Sequence, residues 1–420
     1  MTKHILYIAF HFPPIQISSG VHRTLAFSRY LAEQGHRVTV LTANKKAYPH
    51  YDDKNSALIP DNIKVISAYA RDTAKHFSLK NRYWGAMALP DRWQSWIVGG
   101  LLSGLKLIRK KRPDVIISTY PIASAHIIAY LLHKLTGIAW IADLRDPMLQ
   151  QDYPANPRTR KIFAWLERKM TRHCRHILLT SPGALALYRE RYPEVAEAVW
   201  QVLPNGFDEQ LFAQTQPVIQ QAKPDTITLL HSGTIYPSER DPTDFFQALA
   251  TLKQQQPQLA ARLKVVLRST GHDALFARML EQAGVNDIIT LAPALNYVEA
   301  LDEMLSADAL LLLQASNCNY QTPAKAYEYI RAKRPVLALT DKDGDTAALI
   351  SQSQMAEIAP LNNSEQIVSA LIKLADNIDQ QRYQSLPDEQ IALFSRQYQA
   401  QKLHQLLLRL WQPSTNGEHA

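Results

Sequence analysis

The sequence predicts an α/β protein built as two successive domains, each on a parallel sheet. Three observations carry this. The chain has 420 residues, more than one hydrophobic core organises. Short apolar runs alternate with longer stretches of helical period, as strands joined by crossover helices require. Near the middle, "TQPVIQQAKPDT" (215–226) is polar, holds two prolines and lacks any period, which reads as a linker with the boundary at 205–225.

In the first half the apolar runs predict strands over Ile5–Phe10, Val38–Thr42, Lys64–Ala68, Val115–Thr119, Ala139–Ala142 and Ile177–Thr180. In the second half they predict Ile227–Ser232, Val265–Ser269, Ile288–Leu291, Ala309–Gln314 and Val336–Leu339. The segment from Glu389 to Trp411 has apolar residues near helical spacing, including Ile391, Leu403, Leu406, Leu407 and Leu410, and predicts one amphipathic helix. The "QPSTNGEHA" that follows is expected to fray. The resulting division is an N-terminal domain over 1–205, a C-terminal domain over 206–388, and a last helix over about 389–412 that packs back on the first domain.

Composition is that of a globular protein, with 46% hydrophobic and 20% charged residues and no biased tract. Cys174 and Cys318 are the only cysteines and stand far apart, so neither a disulfide framework nor a zinc site is expected, and a reducing cytoplasm suits the chain. The opening "HILYIAF" reads as a strand rather than a leader, and the apolar stretch 116–132 is interrupted by Pro121 and falls short of a spanning helix. Charge is uneven. Residues 1–208 hold 29 Lys and Arg against 15 Asp and Glu, a net of +14, while 209–420 hold 17 against 23, a net of −6. A basic half suits anionic lipid, nucleic acid or a phosphorylated substrate, and charge alone does not choose among them.

No GxGxxG follows the first strand and no GxxxxGK[ST] occurs, so nicotinamide and P-loop nucleotide chemistry lack their fingerprints. Instead "HFPPIQISSGVHRTLAFSRYLAEQGHRVTVLT" (11–42) gives a Pro-rich loop, then Ser18-Ser19-Gly20 at a helix start. A glycine there lets backbone N–H groups approach a phosphate, or serves turn geometry alone. In "TPAKAYEYIRAKRPVLAL" (322–339), Thr322 suits an N-cap, Pro323 the first helical position, and Lys325 the third. A cation at the positive end of a helix dipole is locally unfavourable and becomes favourable once an anion binds. Glu328, on the same face, offers a carboxylate able to accept two hydrogen bonds from a diol; a solvated ion pair accounts for the same spacing.

Five pieces in order resemble the GT-B nucleotide-sugar glycosyltransferases of family-4 type over nearly the whole chain: the 11–42 stretch, "WIADLRDPM" (140–148), "VLPNGFDEQLF" (202–212), "HSGTIYPSERDP" (231–242), and "ALLLLQASNCNYQ" running into 322–339. The resemblance implies two Rossmann-like doubly wound domains facing across a cleft, with the sugar nucleotide held by the second and the acceptor by the first. It assigns Lys325 and Arg240 to the diphosphate and Glu328 to the ribose. The family's earlier Glu, eight residues before, is replaced by Tyr320, which puts donor recognition in question. Gly20, Gly233, Thr234, Tyr320, Gly344, Asp345 and Thr346 complete the expected donor side, the last three in a loop where Asp345 or Thr346 caps the next helix. Asp341-Lys342-Asp343 matches a metal-binding DxD only superficially, and no metal or other cofactor is expected beyond the nucleotide-sugar itself.

Acceptor-side candidates are Asp143, Arg145 and His126, with Asp146 as a catalytic candidate. Three charges past a strand end are costly if buried unpaired, so they pair with one another or face a polar cleft. His126, in an apolar helix, reads more as structure than as a base. Residues 77–112 mix Trp84, Trp93 and Trp96 with the cluster Arg109–Arg112, a composition suited to a membrane interface and equally to a helix docked on the sheet with its basic end at the dipole. The expected activity is transfer of a sugar from a nucleotide-sugar to a glycan or polyprenyl-linked acceptor in surface polysaccharide biosynthesis. Retention of configuration is implied by the resemblance alone. The expected place is the cytoplasm, at the inner membrane face. A nucleotide-sugar epimerase and a non-catalytic nucleotide-sugar-binding partner subunit are the alternatives; nucleic-acid binding lacks any recognition motif.

Overall fold

The computed structural model describes residues 2–15, 19–78, 83–151, 153–216 and 225–412. Among the described residues, thirteen strands form two all-parallel sheets. They are β1 (His4–Ile8), β2 (Arg37–Ala43), β3 (Ile63–Ala68), β4 (Val115–Thr119), β5 (Ala139–Arg145), β6 (His176–Leu179) and β7 (Trp200–Val202) in the first. The second has β8 (Ile227–Ser232), β9 (Leu263–Arg268), β10 (Ile289–Ala292), β11 (Ala309–Leu313), β12 (Val336–Leu339) and β13 (Ala356–Ala359). Every predicted strand is present. β7 and β13 were not predicted, and both are edge strands of only 3 and 4 residues, too short to show a period.

The first sheet runs β3-β2-β1-β4-β5-β6-β7 and the second β10-β9-β8-β11-β12-β13. Each starts at its centre, winds to one edge, then crosses back and winds to the other. The strand order therefore reverses once per sheet, between β1 and β4 and between β8 and β11, and ligands of such folds bind beyond the carboxyl ends of the strands at that reversal. The central strands explain the unbroken apolar runs: β1, β4 and β11 are buried along their whole length because helices cover both faces.

Two compact units result, one made by the chain up to Asn205 together with the segment from Arg396 onward, the other by Gly206–Ser395. In the first unit the last helix, Arg396–Trp411, lies against helix Ser19–Glu33, and its Ala400, Leu403, Leu406 and Leu407 are buried with Leu25, Leu31 and Val38. The single helix expected over 389–412 is corrected to two, Asp388–Ala392 and Arg396–Trp411. The break falls where the chain passes from one unit to the other: Phe207 N–H donates to the Phe394 carbonyl at 3.3 Å, and Phe207 and Ser395 form a bridge. Most of the expected linker, and the terminal residues expected to fray, lie outside the described residues.

Candidate active site

In the second unit the reversal point lies between the loops that follow β8 and β11. Ser232 ends β8 and Gly233 turns with φ +121°, a conformation that glycine alone adopts easily. The space a side chain would fill is taken: a Cβ on Gly233 would stand 3.3 Å from Lys325 Nζ. Lys325 comes from helix Ala324–Ala332, which follows the β11 loop, and its ammonium donates to the Ser232 carbonyl at 2.9 Å. Its Nζ also lies 3.2 Å from His231 Nε2. His231 Nδ1 is 2.9 Å from the Leu311 carbonyl, which can only accept, so Nδ1 carries the proton and Nε2 is the acceptor for the lysine.

This corner is positively charged. Arg240 closes a turn back to the same loop, its Nη1 donating to the Thr234 carbonyl at 2.8 Å and its guanidinium standing 5.6 Å from the Tyr236 ring. Withdrawal from water and the Arg240 charge together lower the Lys325 pKa to about 7, against a smaller opposing effect of Glu328. Burial and Lys325 hold His231 well below the usual imidazole range, so it is neutral. Arg240 and Lys325 thus bond to neighbouring carbonyls of one loop, Thr234 and Ser232, near enough for the Arg240 charge to act on the lysine. Two details of the expected helix start are corrected. The helix begins at Ala324 with Pro323 at the cap position, so Lys325 is the second helical residue and Thr322 lies outside, because the proline keeps an extended ψ of 137°.

Glu328 is buried and accepts the Tyr297 hydroxyl, which fixes its rotamer from a neighbouring helix. Tyr320 is 42% exposed in the β11 loop. That loop is stapled by Gln314, whose amide donates to the Cys318 and Gln321 carbonyls at 2.8 and 2.7 Å while Thr340 donates back to it at 3.3 Å. The β12 loop is tied to it as well: Asp341 accepts from Ser316 at 2.8 Å and from Asn319 at 2.6 Å, and Thr346 donates to the Gln321 carbonyl at 3.3 Å. Gly344 itself occupies the cap position of helix Asp345–Ser351, with no side-chain cap, which corrects the expectation that Asp345 or Thr346 caps it. A Cβ on Gly344 would meet Asn319 Oδ1 at 2.9 Å, so the glycine permits the two loops to close together. Sequence reading missed His231, Gln314 and Asn319; the one available signal was their position at or just past strand ends.

In the first unit, Asp143 does not face an open site. It is fully buried and receives Arg23 Nε at 3.1 Å and Nη2 at 3.0 Å, with Thr119 donating at 3.2 Å. Arg23 also donates to the Leu203 and Pro204 carbonyls, so this ion pair joins helix Ser19–Glu33, β5 and the end of β7. Arg145 follows at a register shift in β5, with φ +61° and its Nη1 donating to the Tyr120 carbonyl at 3.2 Å. Gly20 is helical; a Cβ there would stand 2.6 Å from Arg145 Nη1 and 2.8 Å from His11 Nδ1, so close side-chain packing, rather than a turn, requires the glycine. Burial and the Arg145 charge lower the His11 pKa to about 4. Asp146 is half-buried and acts electrostatically on Arg145 and Tyr120. His126 is buried, 2.7 Å from Ser118 Oγ, which itself accepts from Trp140 Nε1 at 2.8 Å; burial lowers its pKa to about 4, and it is a core histidine. Gly20, His11, Arg145 and Tyr120 thus gather at the reversal point of the first sheet, while His126 and Asp143 support it from within.

Residues 20–206 match the family model described as "Glycosyl transferase 4-like domain". With two sheets of Rossmann order in one chain, the protein has the two-domain GT-B fold, and its first unit resembles that glycosyltransferase domain. Among solved structures it is similar to sucrose-phosphate synthase (tll1590) from Thermosynechococcus elongatus, at 13% identity and TM-score 0.66 over 97% of this chain and 99% of that one. It is also similar to Anabaena Alr3699/HepE in complex with UDP, at 12% identity and TM-score 0.65 over 97% and 100%. A putative UDP-N-acetylglucosamine 2-epimerase from Listeria monocytogenes is a weaker likeness, at 11% identity and TM-score 0.59 over 98% and 97%. No curated protein matches the sequence.

Proposed function

We propose that this glycosyltransferase takes its sugar from a nucleoside diphosphate sugar held at the reversal point of the second sheet. The observation that carries the reading is the convergence of Lys325 and Arg240 on the Gly233 turn beside the start of helix Ala324–Ala332. Two cations and a helix start favour a diphosphate, and the same groups stabilise the charge that grows on the leaving nucleotide. Glu328, oriented by Tyr297, accepts from the ribose hydroxyls. The Gly344–Thr346 loop is tied to the β11 loop at Asn319 and Gln321, which supports a place for it beside the donor phosphates. Likeness to a structure that holds UDP supports a uridine donor.

In this reading the cations neutralise the diphosphate without a metal, the product retains the donor's configuration, and the acceptor is a glycan or polyprenyl-linked intermediate of a surface polysaccharide. Helix Ser95–Lys110 supports contact with an anionic membrane. Val98 and Leu102 stand 62% and 64% exposed on it, its last turn carries Arg109 and Lys110, and it holds no acidic residue. Among the described residues no helix is long and apolar enough to cross a membrane.

Calorimetry with UDP, GDP and ADP, each against the protein and against Lys325→Glu, tests the donor site. Binding of one diphosphate by the native protein, lost on charge reversal, is expected; affinity unchanged by the substitution overturns the assignment. Sugar release from the donor only when acceptor is present separates transfer from epimerisation, which turns over the donor alone, and from a binding subunit, which turns over nothing.

A further inference from the structure

The last helix, Arg396–Trp411, is fastened to the first unit by a contact that no role described so far explains. His36 lies between helix Ser19–Glu33 and β2, and His404 lies in the middle of the last helix; their Nε2 atoms are 2.8 Å apart. The tautomers follow from the neighbours. The backbone N–H of Lys3 donates to His36 Nδ1 at 3.3 Å, so the proton of that neutral ring sits on Nε2. This N–H donates to His404 Nε2, and His404 carries its own proton on Nδ1. The Trp411 ring closes the same corner, its centre 5.2 Å from that of His36 and 5.8 Å from Lys3 Nζ.

Protons undo this arrangement. One added proton fits between the rings only if His36 moves its own to Nδ1, where it opposes the Lys3 N–H. A second leaves two N–H groups facing each other across a hydrogen-bond distance with no acceptor between them. The surroundings already disfavour charge. Burial, His404 and the amino-terminal charge lower the His36 pKa against an opposing effect of Asp114, and burial lowers that of His404. Among the described residues, Lys3, paired with Asp114 at 3.2 Å, faces the pair from the start of β1. Tyr30 faces it from helix Ser19–Glu33, its ring 6.1 Å from that of His404 and under the influence of Glu33. Of these side-chain types only histidine changes charge in the range of about pH 5 to 8 when unperturbed.

We infer that the His36–His404 pair is an acid-sensitive latch, whose protonation lets the last helix lift and uncovers Leu25, Leu31 and Val38. The sign follows from the direction of both shifts. With the helix lifted the histidines return toward about 6.5, above their docked values. Docking is therefore complete above about pH 6.5 and weakens as the pH falls through the docked values. Helix Ser19–Glu33 also carries Gly20 and Arg23, so acid loosens the support of the first sheet's reversal point.

Hydrogen exchange on the full chain, corrected for the intrinsic pH dependence of amide exchange, tests the latch. Protection of the last helix should fall from about pH 7 to 5 by up to about tenfold per unit for each proton taken up, while β4 and β5 keep theirs. His36→Gln with His404→Gln leaves a donor and an acceptor at the contact but nothing that titrates, and should remove that fall. An equal fall in the native protein and the double variant, or none in the native protein, overturns the latch. Should the double variant not fold, NMR titration of the native histidines decides. Two ring signals moving together with midpoints below about 6.5 are expected, and independent titration at or above that value overturns the inference. None of these readings needs nucleotide, so the latch stands or falls apart from the donor site.

Discussion

Lys325 Nζ lies 3.2 Å from Nε2 of His231, and the imidazole, proton-bound on its far nitrogen toward Leu311, can only accept. The lysine is thus held beside a neutral base and near the Arg240 charge, with its pKa lowered to about 7. A nucleotide-sugar diphosphate stays charged across this range and favours the ammonium form. Above pH 7 the complex has to take up a proton, and affinity for UDP-glucose should fall by up to about tenfold per unit between pH 7 and 9. Below pH 7 it should level off. Calorimetry in buffers of different ionisation enthalpy should show that proton uptake, and Lys325→Arg, whose charge does not titrate here, should remove it.

The same lysine affects the empty protein in the opposite sense. Its folded pKa lies below that of an unfolded lysine, about 10.4, so the unfolded chain binds more protons between these values and this group's contribution to stability improves as pH rises from 7 toward 10. Melting temperatures of the native protein and Lys325→Met across that range should converge as the pH rises. Divergence would argue against the depressed pKa.

Gly233→Ala adds a methyl where φ is +121° and Lys325 Nζ is 3.3 Å away. The backbone strain costs about 1–3 kcal/mol. The displaced ammonium should weaken UDP binding beyond that loss of stability, read by calorimetry on the folded fraction.

Arg23→Met strands the Asp143 carboxylate in the core of the first unit, where both side chains are nearly inaccessible. Breaking a buried pair from one side costs about 3–5 kcal/mol, enough to lower the melting temperature by several degrees. Arg23→Met with Asp143→Leu should recover part of this. A surface-like cost under 1 kcal/mol for the single change would contradict the geometry.

Glu328→Gln retains a group that can accept the Tyr297 hydroxyl but weakens a charged acceptor for a ribose diol. UDP affinity should drop by about 1–3 kcal/mol, while binding of 2′,3′-dideoxy-UDP should scarcely change. Equal losses for both ligands would assign Glu328 to structure.

The sequence revealed the architecture because each sheet is central and parallel. Strands buried on both faces, such as Val115–Thr119 and Ala309–Leu313, write themselves as apolar runs. Short edges at Trp200–Val202 and Ala356–Ala359 do not. The meeting of Arg240 with Lys325 was legible because both follow strand ends at the reversal of one sheet. The partners of Asp143 and Glu328 were not, since Arg23 and Tyr297 lie 120 and 31 residues away and only the packing of helices on sheets brings them close. Loop staples such as Gln314 and Asn319 carry no period, and only their place past a strand end marks them in the sequence.

Leu25, Leu31 and Val38 are covered by a helix whose residues are the last to leave the ribosome among those described. During synthesis the nascent amino-terminal half carries an uncovered oily face until nearly two hundred further residues have been made, which calls for a chaperone or for early closure of the other sheet. A gene fragment ending at Asn205 should therefore give an aggregating product, and supplying the 396–412 peptide in trans should rescue its solubility.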